Sequence, residues 1–236
     1  PKLVQVEHNS RERYTPWRLA QARWLARRSA RLVAVSEGVR QRLLELGMPA
    51  ALTQAIPNGI ALEPYAEVTP FAEREAGLVM SARFARQKDH PTLIQALGLL
   101  KARGLRPTLY LAGAGKAGYR RAAEALADRL GLADQVRFLG HHGQMPQLLM
   151  SQQIFVLSTH WEGMPLALVE GMAAGCACVA SLVPGVEGLL EPEQTGLLVP
   201  HADAGALADA LERLLRDPAL GARLGAAARQ RAIAEH

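Results

Sequence analysis

The stretch Thr159–Ala180, THWEGMPLALVEGMAAGCACVA, decides the fold. It places Glu162 on a loop and Glu170 on the helix that follows. Pro165 stands where a first helical residue would, and its missing N–H is no loss there. Leu166, Val169, Met172 and Ala173 recur at helical spacing. Gly175 supplies a C-terminal stop, and Cys178–Ala180 reads as a short buried strand. A helix start with free amides behind a Glu-Gly pair suits an anion. By periodicity alone this is one loop–helix–strand unit of an α/β protein, with no function attached.

The flanking chain repeats the unit. From Gly77 onward, Leu78–Met80 is a strand, and a helix runs from His90 to about Arg103 with Leu93, Leu97 and Leu100 on one face. Strands follow at Thr108–Ala112, Val136–Leu139, Ile154–Leu157 and Leu197–Val199. Helices are expected over 144–150, as a short piece between Gly188 and Thr195, from Asp203 to about Leu215, and from Pro218. Strand and helix alternating with short turns predict a doubly wound parallel sheet. Residues 1–60 alternate likewise, with strands at Leu3–Val6, Leu32–Val35 and Leu52–Ile56, and Ser36 reads as the N-cap of a helix that ends at Gly47. Three strands are too few for an independent sheet, so 1–60 reads as the second half of a first Rossmann-like domain. Residues 61–76, with Pro64 and Pro70 and no clear period, read as a linker, and 77–236 as the second domain.

A chain of 236 residues can bury one or two sizeable cores. It contains neither an apolar run long enough to span a membrane nor a secretory signal pattern, which suggests a cytoplasmic location. It opens in a strand-like run and ends inside a helical pattern, as a fragment would. Cys176 and Cys178 are spaced wrongly for a zinc pair and read as buried thiols. The net charge of +5 is carried mostly by arginine. Without a reader motif or interleaved aromatics, nucleic acid ranks last among anionic partners.

The helix expected over 16–30 puts Trp17 and Trp24 on one face, with Arg18, Arg23, Arg27, Arg28 and Arg31 around it. It is read as packing both tryptophans onto a sheet. Contact with an anionic membrane surface is the alternative. His8, after the first strand, sits where α/β proteins place ligand-binding loops; a loop histidine with no role is an equal reading.

Arg83, Arg86 and Lys88 cluster between a strand end and a helix start, which suits phosphate oxygens, although a solvated basic loop is the plainer fate of such cations. Gly113–Gly118 spells G-x-G-x-x-G, but the next strand ends in Gly140-His141-His142 with no acid. The fingerprint of a dinucleotide site is thus incomplete, and the glycines are read as a close backbone approach at a cleft wall. Adjacent His141 and His142 diverge and cannot form one metal face. The chain has no D-x-D motif. Fixed positive charge and a helix N-terminus are then the chain's means of stabilising an anion, each contact worth roughly 2.7–4 kcal/mol of barrier in a dry cleft, rather than a metal held by such a motif. Pro165 to Glu170 alone rises about 7.5 Å, so Glu162 and Glu170 are read as serving the two ends of a ligand, with a paired acid/base geometry at about 5–9.5 Å as the less natural alternative.

The segments VAVSEGVRQRL, IPNGI, SARFARQKDHPTLIQAL, LAGAG, VRFLG, LSTHWEGMPLALVEGMAAG and TGLLVP, in this order and spacing, resemble the family 4 retaining glycosyltransferases, which have the two-domain GT-B fold. The resemblance covers the whole chain. It implies that Arg83 and Lys88 hold a donor diphosphate and that Glu170 binds the ribose hydroxyls. Glu162 would stand by the transferred sugar with His8 as its catalytic partner. Gly163, Met164, Pro165 and Leu166 would approach sugar and phosphate, and Arg137, Phe138 and Leu139 would flank the base. It further implies a nucleotide-diphosphate-sugar as substrate, a UDP-sugar favoured over a GDP-sugar, with no cofactor and no metal. The acceptor would be a glycan or lipid-linked hydroxyl, with cell-envelope polysaccharide synthesis at the inner face of the cytoplasmic membrane as the setting. Ala177, Gly188 and Met145 depart from the residues usual in relatives. Acceptor recognition would lie mostly upstream of Pro1, so residues 1–236 alone are expected to bind donor weakly and not transfer it. A nucleotide-sugar epimerase, an NAD-dependent oxidoreductase using Gly113–Gly118, or a non-catalytic donor-binding fragment are the competing readings.

Overall fold

The computed structural model describes residues 3–8 and 14–236. In chain order the elements are β1 (Val4–Glu7), α1 (Pro16–Ala26), β2 (Arg31–Ala34), α2 (Glu37–Glu45), β3 (Thr53–Ala55), β4 (Glu75–Ser81), α3 (His90–Ala102), β5 (Leu109–Ala112), α4 (Ala117–Arg129), β6 (Val136–Gly140), α5 (Met145–Ser151), β7 (Gln152–Leu157), α6 (Leu166–Ala173), β8 (Ala177–Ser181), β9 (Leu197–Val199), α7 (Ala204–Arg216) and α8 (Pro218–Glu235). Two 3-10 turns, Glu63–Tyr65 and Phe71–Glu73, shape the connection between β3 and β4.

Two parallel sheets form. The first runs β1-β2-β3, and the second β6-β5-β4-β7-β8-β9. The central strands of the second sheet are covered on both faces, so they read as continuous apolar runs. Alternate residues feed two cores. Ile154 and Val156 join Leu93, Leu97 and Leu211 on one face, and Phe155 and Leu157 join Leu168, Met172 and Ala228 on the other. The second core also contains Ala34, Val35 and Val39, so one apolar cluster spans both sheets. From β4 the chain winds outward through β5 and β6, then returns to β7 on β4's other side. The strand order therefore reverses between β4 and β7, where open α/β sheets bind ligands.

Three expectations are corrected. The helix predicted over 16–30 ends at Ala26, and its inward stripe is Leu19, Ala22 and Ala26. Trp17 and Trp24 lie on the opposite side, 73% and 56% exposed, with the Arg28 guanidinium 3.9 Å from the Trp24 ring. Small residues bring the helix close to the sheet, and the indoles are left outside. The short helix expected before Thr195 is a series of turns: Pro184, Gly185, Gly188 and Pro192 interrupt it, while Val186, Leu189 and Leu190 anchor it to the core. Pro165 takes the cap position of α6 rather than its first turn, and its carbonyl accepts from Leu168 N at 2.9 Å.

Candidate active site

The loops that leave β4 and β7 face each other across the switch point and are bonded together. Asp89 N donates to Ser158 O at 3.0 Å and His160 N to Gln87 O at 2.9 Å. A cleft of about 760 Å³ opens above them, with His8 on the side of the first sheet. Its other walls come from Arg83 and Lys88, the Gly113–Ala114 turn, His141 and His142, and residues 162–167.

Glu162 is 4% exposed at the base of this cleft. It forms an ion pair with Lys88 Nζ, accepts from Thr159 Oγ1 at 2.8 Å, and accepts from Gln87 Nε2 at 3.2 Å. Gln87 Nε2 also donates to Trp161 O at 2.7 Å. A buried carboxylate needs such compensation. Beneath the same loop, His90 stacks on Phe84 with ring centroids 4.2 Å apart, and its Nδ1 lies 3.3 Å from Lys88 O. Burial pushes this imidazole down to about 4, so it is neutral at physiological pH.

The glycine-rich turn after β5 is shaped by approach to that loop. A methyl at Gly113 would fall 2.2 Å from Ala82 O, and one at Gly115 would fall 2.4 Å from Phe84 O. The contact is sealed by Phe84 N donating to Ala114 O at 2.9 Å and Lys116 N to Phe84 O at 3.0 Å. This close packing explains Gly113 and Gly115 without a dinucleotide, while a methyl at Gly118 would meet open space.

Helix α6 presents its N-terminus to the cleft through Leu166 and Ala167, whose amides belong to the unsatisfied first turn of a helix. Its C-terminal carbonyls are capped by two arginines. Arg229 donates to Ala173 O, and Arg74 Nη2 donates to Ala174 O at 2.8 Å. The macrodipole is thus compensated at the buried end and open at the cleft. Glu170 is half-buried one turn beyond Leu166 on the same face, and burial raises its carboxyl above the usual range.

Of the residues singled out in the sequence, His8, Arg83, Lys88, Glu162, Gly163, Met164, Pro165 and Leu166 all line this cleft. Arg137, Phe138 and Leu139 lie on β6, outside the lining, and Phe138 turns toward Phe84 with centroids 6.1 Å apart. His141 and His142, weighed in the sequence only as metal ligands, do line the cleft; their place at the end of a parallel strand was the available signal. Gln87 carries no sequence signal, because its partner Glu162 comes from a loop 75 residues away in the chain; Thr159 stands three residues before Glu162, and only the fold of the loop turns its hydroxyl onto that carboxylate.

The sequence profile of the glycosyl transferases group 1 matches residues 63–231. The chain belongs to this family. A glycosyltransferase family 4 profile matches residues 1–64. Glycogen synthase of Mycobacterium tuberculosis (strain CDC 1551 / Oshkosh) is 32% identical over 216 residues, 88% of this chain and 51% of that protein. The lipopolysaccharide core biosynthesis glycosyltransferase LpsD of Rhizobium meliloti (strain 1021) is 31% identical over 202 residues, 83% of this chain and 56% of that one. The chain therefore spans about half the length of these group 1 relatives. The crystal structure of Anabaena Alr3699/HepE in complex with UDP superposes with a TM-score of 0.90 at 23% identity, over 99% of this chain and 68% of that one. The fold is that of the GT-B glycosyltransferases.

Proposed function

We propose that this chain forms the donor side of a glycosyltransferase. It takes a sugar from a UDP-sugar and transfers it to a hydroxyl of a glycan or lipid-linked acceptor, with retained anomeric configuration and without a metal ion. One observation carries the reading: Arg83, Lys88 and the start of α6 converge on one cleft whose base holds the buried Glu162. Family membership and the UDP-bound HepE structure support it.

In the transfer, the bond between the sugar's anomeric carbon and the diphosphate oxygen breaks. A bond to the acceptor oxygen forms, and the acceptor's proton passes to the departing diphosphate or to solvent. Negative charge grows on the diphosphate as it departs. Arg83 offers a planar fork to phosphate oxygens, and the first amides of α6 add fixed dipoles. Lys88 has three ammonium protons, so it can stay on Glu162 and still donate to a phosphate oxygen. Glu162 is assigned to the transferred sugar, with His8 facing it from the other wall. Glu170 is assigned to the ribose hydroxyls, and Arg137–Leu139 with the histidines that follow them to the flank of the base.

The whole protein, given a UDP-sugar and a lipid-linked glycan acceptor, tests this. Proton NMR should show a product with the donor's anomeric configuration, formed at an unchanged rate in EDTA. An inverted product, or a chelator block relieved by Mn²⁺, would remove the corresponding half of the proposal.

A further inference from the structure

The loop that carries Glu162 is gripped from the other sheet. Ser36 follows β2 by two residues and caps α2, and it is buried. Its hydroxyl accepts from Val39 N at 3.2 Å and donates to Gly163 O at 2.7 Å. A hydroxyl has one proton and two lone pairs, so both bonds are satisfied at once. The sequence announces only the cap.

The surrounding packing leaves no slack. A methyl at Gly38, on the first turn of α2, would fall 2.0 Å from Pro184 O. A methyl at Gly185 would fall 2.4 Å from Glu162 O and 2.6 Å from Gly163 O. The Glu162–Gly163 backbone is therefore held between the start of α2 and the Pro184-Gly185 turn. A third contact comes from the chain after β3, where Asn58 N donates to Met164 Sδ at 3.0 Å.

We infer that Ser36 is a positioning residue. By holding the Gly163 carbonyl from the first sheet, it fixes the backbone of residues 162–165 and, through it, the direction of the α6 amides and of Glu162. The seating of α2 and the shape of the donor loop are then one coupled variable, although Ser36 lies outside the cleft lining. Its consequence for donor binding rests on the proposed function; its consequence for the loop does not.

Three variants of Ser36 separate the latch from the cap. Aspartate caps a helix as well as serine does, but its carboxylate has no proton for Gly163 O, whereas threonine keeps both. Hydrogen exchange without ligand reads the amides of Leu168 and Val169, which are bonded to Pro165 O at 2.9 and 3.4 Å. In Ser36→Asp these should exchange about tenfold faster or more, at least the worth of one lost neutral hydrogen bond, while Ser36→Thr behaves as wild type. If Ser36→Asp does not fold, Gly38→Ala serves instead, its methyl forcing α2 off Pro184, with the same expected gain in exchange. Wild-type exchange rates at both amides in the folded variant overturn the inference. A parallel UDP titration should show weaker binding in Ser36→Asp than in Ser36→Thr. If wild type itself takes no UDP, the donor assignment fails, while the exchange data still decide the latch.

Discussion

On one wall of the cleft Glu162 is buried and held by Lys88, Thr159 and Gln87. On the other wall His8 stands exposed at the end of β1, which pairs only with β2 among the described residues. The first wall is made where two loops of one sheet lock together, so its polar groups are set before a ligand arrives. The second offers reach with little packing behind it. Substitutions of the buried polar groups on the first wall should therefore change stability as well as binding, and those on the second should change only turnover.

The largest separation is expected at Lys88. Lys88→Met removes the counter-charge from a buried carboxylate and should lower unfolding stability by about 3–5 kcal/mol. Lys88→Met with Glu162→Gln should recover most of it, as read by urea unfolding. A single variant as stable as wild type would show that the pair is not buried as described.

His90 gives the next effect, through pH. Its folded value of about 4 lies below the ordinary 6.5, so the unfolded chain binds the extra proton first as pH falls. The stability it contributes is complete above 6.5 and is lost as pH drops toward 4, about 3 kcal/mol in all. In His90→Phe, which keeps the stack on Phe84, thermal melts across this window should lose that part of the acid sensitivity. An unchanged profile would place the titration elsewhere.

The smallest effect on the fold is expected at the opposite wall. His8→Ala should leave the melting temperature and UDP affinity as they are and lower the turnover of the whole protein about tenfold, the scale of one hydrogen bond. A matching loss of UDP affinity would move His8 to the donor side.

Much of this was legible in the sequence, and for identifiable reasons. Hydrophobic period and turn residues gave the alternation of strand and helix, because buried parallel strands and capped helices leave local marks: Ser36 at an N-cap, Gly175 after a C-terminus, Pro218 at a helix start. The cations after β4 and the Glu162–Leu166 loop were found because ligand loops follow parallel strands. What escaped was set by distant partners. Which side of α1 faces inward depends on the sheet beneath it, and the indoles were given the wrong side. The hold of Gln87 on Glu162, and that of Ser36 on Gly163, join residues that only the folded chain brings together.

The central claim is that the cleft at the switch point binds a nucleotide diphosphate through Arg83. Arg83 lines the cleft and is exposed, so its loss should spare the fold. Calorimetric titration of UDP into wild type and Arg83→Ala tests this most directly. The expected result is one UDP bound per chain, with affinity falling about 10- to 100-fold in the variant, as for a lost charged hydrogen bond, and an unchanged melting temperature. Binding of NAD in place of UDP, or equal UDP affinity in both proteins, would contradict the account.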